Sequence, residues 1–160
     1  LEFCYHNLRS LWSKLGRSVY AQGQGFSRSE LRSKMMEEGD VLLLGAESFW
    51  KGFDAKGPSL SQVVLTRLPF ENPGHPIMEA KTERLEAEGK SSFMEITIPK
   101  AVIRFRQGMG RLIRSYTDVG DLLILDSRIL HKRYGSHFIG ELPSARFECV
   151  ELSEFDDMSS

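Results

Sequence analysis

Three short runs of unbroken apolar residues, Val41–Leu44, Val63–Leu65 and Leu122–Leu125, constrain this chain most. A run of that length without polar alternation suits a strand covered on both faces. Segments with helical spacing lie between and around the runs. Strands alternating with helices predict an α/β fold built on a mostly parallel sheet with helices on both faces. The longest runs, Val41–Leu44 and Leu122–Leu125, fall far short of the about 20 residues that span a bilayer. The 160 residues suit one domain, large enough to bury a core without metal or disulfide staples. With 41% hydrophobic residues, 21 bases and 22 acids, a mostly disordered chain is excluded. Cys4 and Cys149 sit far apart with no Cys-x-x-Cys pairing. That excludes a disulfide framework and a self-contained iron–sulfur or zinc site, and a reduced, cytoplasmic chain is expected. The sequence opens on Leu1 inside an apolar stretch, without a signal-peptide pattern, and reads as a piece of something larger.

Local signals place the elements. Leu1–Tyr5 reads as a short strand, followed by a helix from about Asn7 to Leu15 with apolar Leu8, Leu11, Trp12 and Leu15, stopped by Gly16. Val19–Ala21 is a short strand. Ser27-Arg28-Ser29-Glu30 has the form of a capping box, opening a helix that carries Leu31, Met35 and Met36 and ends at Gly39. Further helices are predicted over Ile77–Ala87, Pro99 to about Ser115, and Gly135–Leu142, with an edge strand over Phe147–Leu152. Residues 1–155 are expected to form one domain and Asp156–Ser160 a disordered acidic tail. In parallel sheets ligands bind at the carboxyl ends of the strands, which points to the loops after Leu44, Thr66 and Leu125.

The charge is balanced overall but uneven along the chain. Residues 100–114 carry Lys100, Arg104, Arg106, Arg111 and Arg114 and no acid. This concentration of bases suits a polyanion. At about 100° per residue, Gln107, Arg111 and Arg114 fall within roughly 60° of one another, joined by Arg104. Ala101, Val102, Phe105, Met109, Leu112 and Ile113 gather opposite. Pro99 fits the first helical position. Gly108 and Gly110 each cost about 1 kcal/mol in a helix interior, which suggests a close approach or an early loosening of the helix. Arginine donates in a planar fork and stays charged, so two arginines and a glutamine suit a triphosphate and the charge of a transferring phosphoryl group. A solvated cationic helix face accounts for the same pattern.

A second cluster follows the run Val41–Leu44: Gly45-Ala46-Glu47-Ser48-Phe49-Trp50-Lys51-Gly52-Phe53-Asp54. Its glycines let backbone N–H groups approach a phosphate, and its aromatics suit stacking on unpaired bases. The same rings could fold back onto the core. Asp54 could bond a ribose hydroxyl, orient an arginine or cap a turn. His131 and His137 lack a metal-ligand spacing, and His6 and His75 stand alone, so no metal is expected. Asp126 and Arg128 suit a structural ion pair. The chain has no phosphate loop of the Gly-x-x-x-x-Gly-Lys-Ser/Thr form.

Taken together, Gln107-Gly108-Met109-Gly110-Arg111-Leu112-Ile113-Arg114 resembles motif VI of superfamily 2 helicases. Leu-Ile between the arginines, then Ser115, Thr117, Asp118 and Gly120, resembles the DinG/XPD branch. Ser48–Asp54 resembles that branch's motif V. Thr66-Arg67-Leu68-Pro69-Phe70, with Asn72-Pro73 and Pro76, resembles its Leu-Pro-Phe loop. Leu125-Asp126-Ser127-Arg128 and Lys132-Arg133-Tyr134-Gly135, with Leu142-Pro143, resemble its C-terminal end. Tyr5 corresponds to the tyrosine of motif IV, with Cys4 where serine is usual.

The resemblance, which covers Val41 to Pro143 and is closest to bacterial DinG-type enzymes, implies a second RecA-like domain of an ATP-dependent DNA helicase moving 5′ to 3′ in repair or replication. It implies Arg114 as an arginine finger on the γ-phosphate, a catalytic group together with Arg111. Gln107, Gly52 and Asp54 would join the nucleotide site, and Tyr5, Ser48, Phe49, Trp50 and Lys51 would contact DNA. ATP and Mg²⁺ would be bound mainly by a first RecA-like domain absent from these residues. The full-length protein would then be the place for an iron–sulfur cluster. Expected partners are single-stranded DNA, with RNA or hybrids left open, ATP and that first domain, and no membrane. The fragment alone is expected to be inactive. Relatives commonly carry glutamate where Lys51 stands, so a nucleotide role for that acid is lost or moved. Two rivals are a binding module without motor activity and the helicase half of a nuclease-associated relative.

Overall fold

The computed structural model describes residues 2–46, 60–71, 76–113, 119–142 and 148–150. The described chain opens with helix α1 (Glu2–Lys14), so the strand expected over Leu1–Tyr5 is corrected, over residues 2–5, to the first turn of one continuous helix. Tyr5 falls in register with Leu8 and Trp12 at helical spacing, which puts the three on the inward side. Leu11 and Leu15, expected on the apolar face, are 54% and 62% exposed. Gly16 ends this stretch with φ +70°, a conformation glycine adopts without a Cβ penalty.

Strand β1 (Ser18–Ala21) pairs in parallel with β2 (Val41–Leu44), Ser18 opposite Val41 and Ala21 opposite Leu44. The crossover between them is α2 (Arg28–Glu38). Both halves of the capping box form: the Glu30 N–H donates to Ser27 Oγ at 3.3 Å, and the Ser27 N–H donates to Glu30 Oε2 at 2.7 Å. Val19 and Ala21 point toward α1 and share a small core with Tyr5, Trp12, Leu42 and Leu44. On the other side α2 buries Leu31 and Met35, while Met36 stays about half exposed. The Tyr20 hydroxyl donates to Glu38 at 2.7 Å, and the Lys34 ammonium lies 4.7 Å from the Tyr20 ring centre. This strand pair therefore has a helix on each face, as the sequence predicted, although β2 is only half-buried.

The second pair, β3 (Gln62–Leu65) and β4 (Asp121–Ile124), is also parallel, Gln62 opposite Asp121 and Leu65 opposite Ile124. Among the described residues the strands form two separate parallel pairs. Helix α3 (Pro76–Ala87) matches its expected span closely. A π-helical turn (Phe93–Thr97) then runs directly into α4 (Ile98–Leu112). Pro99 explains the wide turn, because its ring has no N–H and crowds the carbonyl four residues back. The Ile98 N–H bonds instead to the Phe93 carbonyl, five residues back.

Helix α4 buries Ala101, Phe105, Met109 and Leu112 against β3 and β4. Short helices α5 (Arg128–His131) and α6 (Gly135–Ile139) complete this layer, Phe138 meeting Phe105 edge-on at 5.4 Å. The helix predicted over Gly135–Leu142 thus ends at Ile139, with turns continuing to Leu142. Gly135 is obligatory: a Cβ there would lie 1.9 Å from the Ile129 carbonyl oxygen. The strand predicted over Phe147–Leu152 is not formed at residues 148–150, which carry no regular structure. Its other residues, and the tail at 156–160, lie outside the described residues. Among the described residues no helix is long and apolar enough to cross a membrane.

Candidate nucleotide and nucleic-acid interface

Helix α4 runs antiparallel to β3 and β4. Its first turns lie beside Glu71, just past the carboxyl end of β3, because Lys100 and Arg104 both pair with that residue. Its last turn lies at the strands' amino ends: a Cβ on Gly120 would come within 2.5 Å of Leu112 Cδ1 and 2.8 Å of the Ser61 carbonyl oxygen. The Gln107–Arg111 end of the stripe and the carboxyl-end loops are therefore two distinct places on the molecule.

The apolar half of the predicted stripe is observed, with Phe105 fully buried. The charged half needs correction. Arg104 does not join an open arginine face; its guanidinium donates to Glu71, and its side chain is 15% exposed. Lys100 Nζ lies 3.4 Å from Glu71 Oε2, and Arg106 pairs with Glu141. Three bases of the run, Lys100, Arg104 and Arg106, are thus answered by acids from distant parts of the chain. Gln107 is exposed and Arg111 half-buried, one turn apart on the same face, at the last two turns of α4. A cation there also favours the negative end of the helix dipole. The helix stays regular through Gly108 and Gly110 but ends at Leu112, with Ile113 already extended, short of the expected end near Ser115. Gly108 is buried, and a Cβ on Gly110 would meet nothing within 4 Å, leaving bare backbone beside Gln107 and Arg111.

Arg114, Gly52, Asp54, Ser48, Phe49, Trp50 and Lys51 lie outside the described residues. Tyr5 is described: the residue is 8% exposed and packs α1 onto β1. A ring so enclosed has little free face for a base. Its neighbour Arg9 covers it at 5.7 Å. Among the described residues no three His, Cys, Asp or Glu side chains could hold a metal, and Cys4 and Cys149 are exposed free thiols.

At the carboxyl ends of β3 and β4, Asp126 organises the loops. Its carboxylate is buried and accepts from the Leu68 N–H at 2.8 Å, from the Arg128 N–H at 3.1 Å, and from Arg128 Nε and Nη2 at 2.8 and 2.6 Å. The Arg128 bonds hold its pKa down, from 3.8 to about 2, against burial, which pushes the other way; the Leu68 N–H adds to the lowering. The structural ion pair read from the sequence is present. Arg128 also lies 5.4 Å over the Phe70 ring, so the Leu-Pro-Phe loop is locked to the end of β4. Thr66, Arg67, Leu125, Asp126, Ser127 and Arg128 enclose an open depression of about 370 Å³ here.

Two features escaped the sequence reading. Residues 127–140 contain Arg128, Lys132 and Arg133 and no acid, a basic run visible in the sequence itself. Phe93, 40% exposed, stacks on Phe70 with centroids 5.9 Å apart and planes 25° apart. Nothing local to Phe93 announces that contact.

The profile of the family described as "Helicase C-terminal domain" matches residues 1–145. The chain is 38% identical over 157 residues to the "3'-5' exonuclease DinG" of Bacillus subtilis (strain 168), covering 98% of this chain and 17% of that protein. It is 39% identical over 127 residues to the "ATP-dependent DNA helicase YoaA" of Escherichia coli (strain K12), 79% of this chain and 20% of that protein. It is 38% identical over 130 residues to the "ATP-dependent helicase DinG" of Mycobacterium tuberculosis (strain ATCC 25177 / H37Ra), 81% and 19% respectively. The chain spans about a fifth or less of the length of these relatives. An α/β chain with parallel strands, a glutamine–arginine helix packed on them and a match over residues 1–145 belongs to the helicase C-terminal domain family, of the DinG type.

Proposed function

We propose that this chain is the second RecA-like domain of an ATP-dependent DNA helicase, one half of a motor that couples ATP hydrolysis to movement along single-stranded DNA. The observation that supports it most is α4. The helix anchors itself by Phe105 and its neighbours and carries Gln107 and Arg111 together on the face away from that core. In this reading Arg111 and Gln107 bind the phosphates, and Arg114, three residues further on, stabilises the charge of the transferring phosphoryl group. Gly52 and Asp54 couple nucleotide to strand, and Ser48–Lys51 lie near the DNA. Tyr5 acts through packing. The first RecA-like domain of the full-length protein supplies the phosphate loop and the Mg²⁺ acid. ATP closes the two halves and hydrolysis lets them part, stepping the protein 5′ to 3′ in the cytoplasm during repair or replication. Mg²⁺ would neutralise phosphate charge. Two cysteines cannot ligate a four-cysteine cluster, so any iron–sulfur centre would need ligands beyond these residues.

The test is ATP turnover by the full-length protein carrying Arg114→Ala. Turnover should fall by about 10³ or more, as when other arginine fingers are removed. Turnover within tenfold of wild type would remove Arg114 from the site.

A second reading has one observation in its favour: the relative matched over 98% of this chain carries the name of an exonuclease. Here the domain would serve as the helicase half of a nuclease-associated protein. Metal-dependent degradation of single strands by the full-length protein, unaffected by Arg114→Ala and without ATP turnover, would favour it.

A further inference from the structure

We propose that the depression at the carboxyl ends of β3 and β4 is a strand-binding ledge, in which Arg67 and Arg128 take one backbone phosphate and the exposed ring of Phe93 takes a neighbouring base. The inference rests on the nucleic-acid reading above and gives it a surface outside the residues assigned so far. Both arginines line the depression, alongside Thr66 and Ser127. Against them stands one carboxylate, Asp126, already engaged with Arg128, so the site carries a net charge of about +1, matched to one phosphodiester. Asp126 holds the Arg128 fork in place before any ligand arrives, which reduces the ordering cost of binding.

Charge continues beyond the depression. Lys132 and Arg133 are exposed on the turn after α5, and among the described residues neither they nor Arg67 pair with a carboxylate. This contrasts with Lys100, Arg104 and Arg106, which all do. The aromatic element begins in the same place. The Arg128 guanidinium covers Phe70, Phe70 stacks on Phe93, and Phe93 is the outer, 40% exposed member of the stack. A cationic cradle next to an exposed ring is the arrangement that holds unpaired strands without reading their sequence. The Asp126 bond to the Leu68 N–H keeps the two parts at a fixed spacing.

The experiment measures binding of a labelled oligothymidylate to the full-length protein without ATP, by fluorescence anisotropy across a salt series. Arg67→Ala should weaken binding and make the slope of log Kd against log salt shallower by about 0.7, the single-strand value for one lost phosphate contact. Arg67→Lys should keep the wild-type slope. Phe93→Leu, which keeps apolar volume against Phe70, should weaken binding roughly fivefold or more with the slope unchanged. If wild type binds while Arg67→Ala and Phe93→Leu both match it in affinity and slope, the ledge is overturned and the motor reading stands. Complete displacement of the strand by an equal nucleotide concentration of thymidine monophosphate would make this a mononucleotide site and would also overturn it. A wild type that does not bind the strand sinks the ledge and the motor together.

Discussion

Replacing Asp126 by asparagine tests how the Leu-Pro-Phe loop is held to the strands. The side chain keeps its shape and can still accept the Leu68 N–H, so the change removes chiefly the charge that Arg128 answers. The folded carboxyl titrates at about 2 instead of 3.8, and one unit corresponds to about 1.4 kcal/mol, so the charged form contributes about 2 kcal/mol. Arg128 is 43% exposed, so stranding it costs less than the about 3–5 kcal/mol of a fully buried pair. Asp126→Asn should therefore lower unfolding free energy by about 2 kcal/mol at pH 7, or the melting temperature by about 4–8 °C. The folded value lies below the unfolded one. The contribution is thus complete above the unfolded pKa and fades as pH falls through the folded value. Urea unfolding of wild type and variant should show a gap about half as large at pH 3 as at pH 7. A variant within about 0.5 kcal/mol of wild type at pH 7, a difference too small for the about 2 kcal/mol expected, or a gap unchanged at pH 3, would mean that the Asp126 charge does not hold the loop.

Phe105→Ala removes a fully buried ring packed on Leu65, Leu68 and Phe138 and should cost about 3–5 kcal/mol in urea unfolding, whereas a loss below about 1.5 kcal/mol would mean the site collapses freely. Gly135→Ala places a methyl group on the Ile129 carbonyl and should cost about 1–3 kcal/mol as the turn between α5 and α6 shifts. Gly110→Ala, where the added carbon meets open space, should instead leave stability unchanged or raise it by up to about 1 kcal/mol, read from the same melts.

Features set by neighbouring residues were legible in the sequence. The Ser27–Glu30 capping box, the four strands, the buried face of α4 and the Asp126–Arg128 pair each depend on spacing within a few residues. What was not legible depends on the chain returning from a distance. Glu71 and Glu141 engage Arg104 and Arg106 from 33 and 35 residues away, so two bases of the run that look open in the sequence are paired in the fold. Phe93 reaches Phe70 across α3. An apolar start suits strand or helix equally; residues 2–5 are helical, with Tyr5 packed in one core with Val19 and Ala21. On α4 the sequence places Gln107 and Arg111 one turn apart on one face, but not the engagement of Arg104 by Glu71 beside them.

The most direct test of the central claim is the ATP hydrolysis rate of the wild-type full-length protein, measured with and without single-stranded DNA. A motor half that couples nucleotide to strand predicts turnover that rises several-fold on adding the strand and saturates with it. Turnover indifferent to the strand, or absent in its presence, would contradict the account and leave a binding domain with a helicase fold.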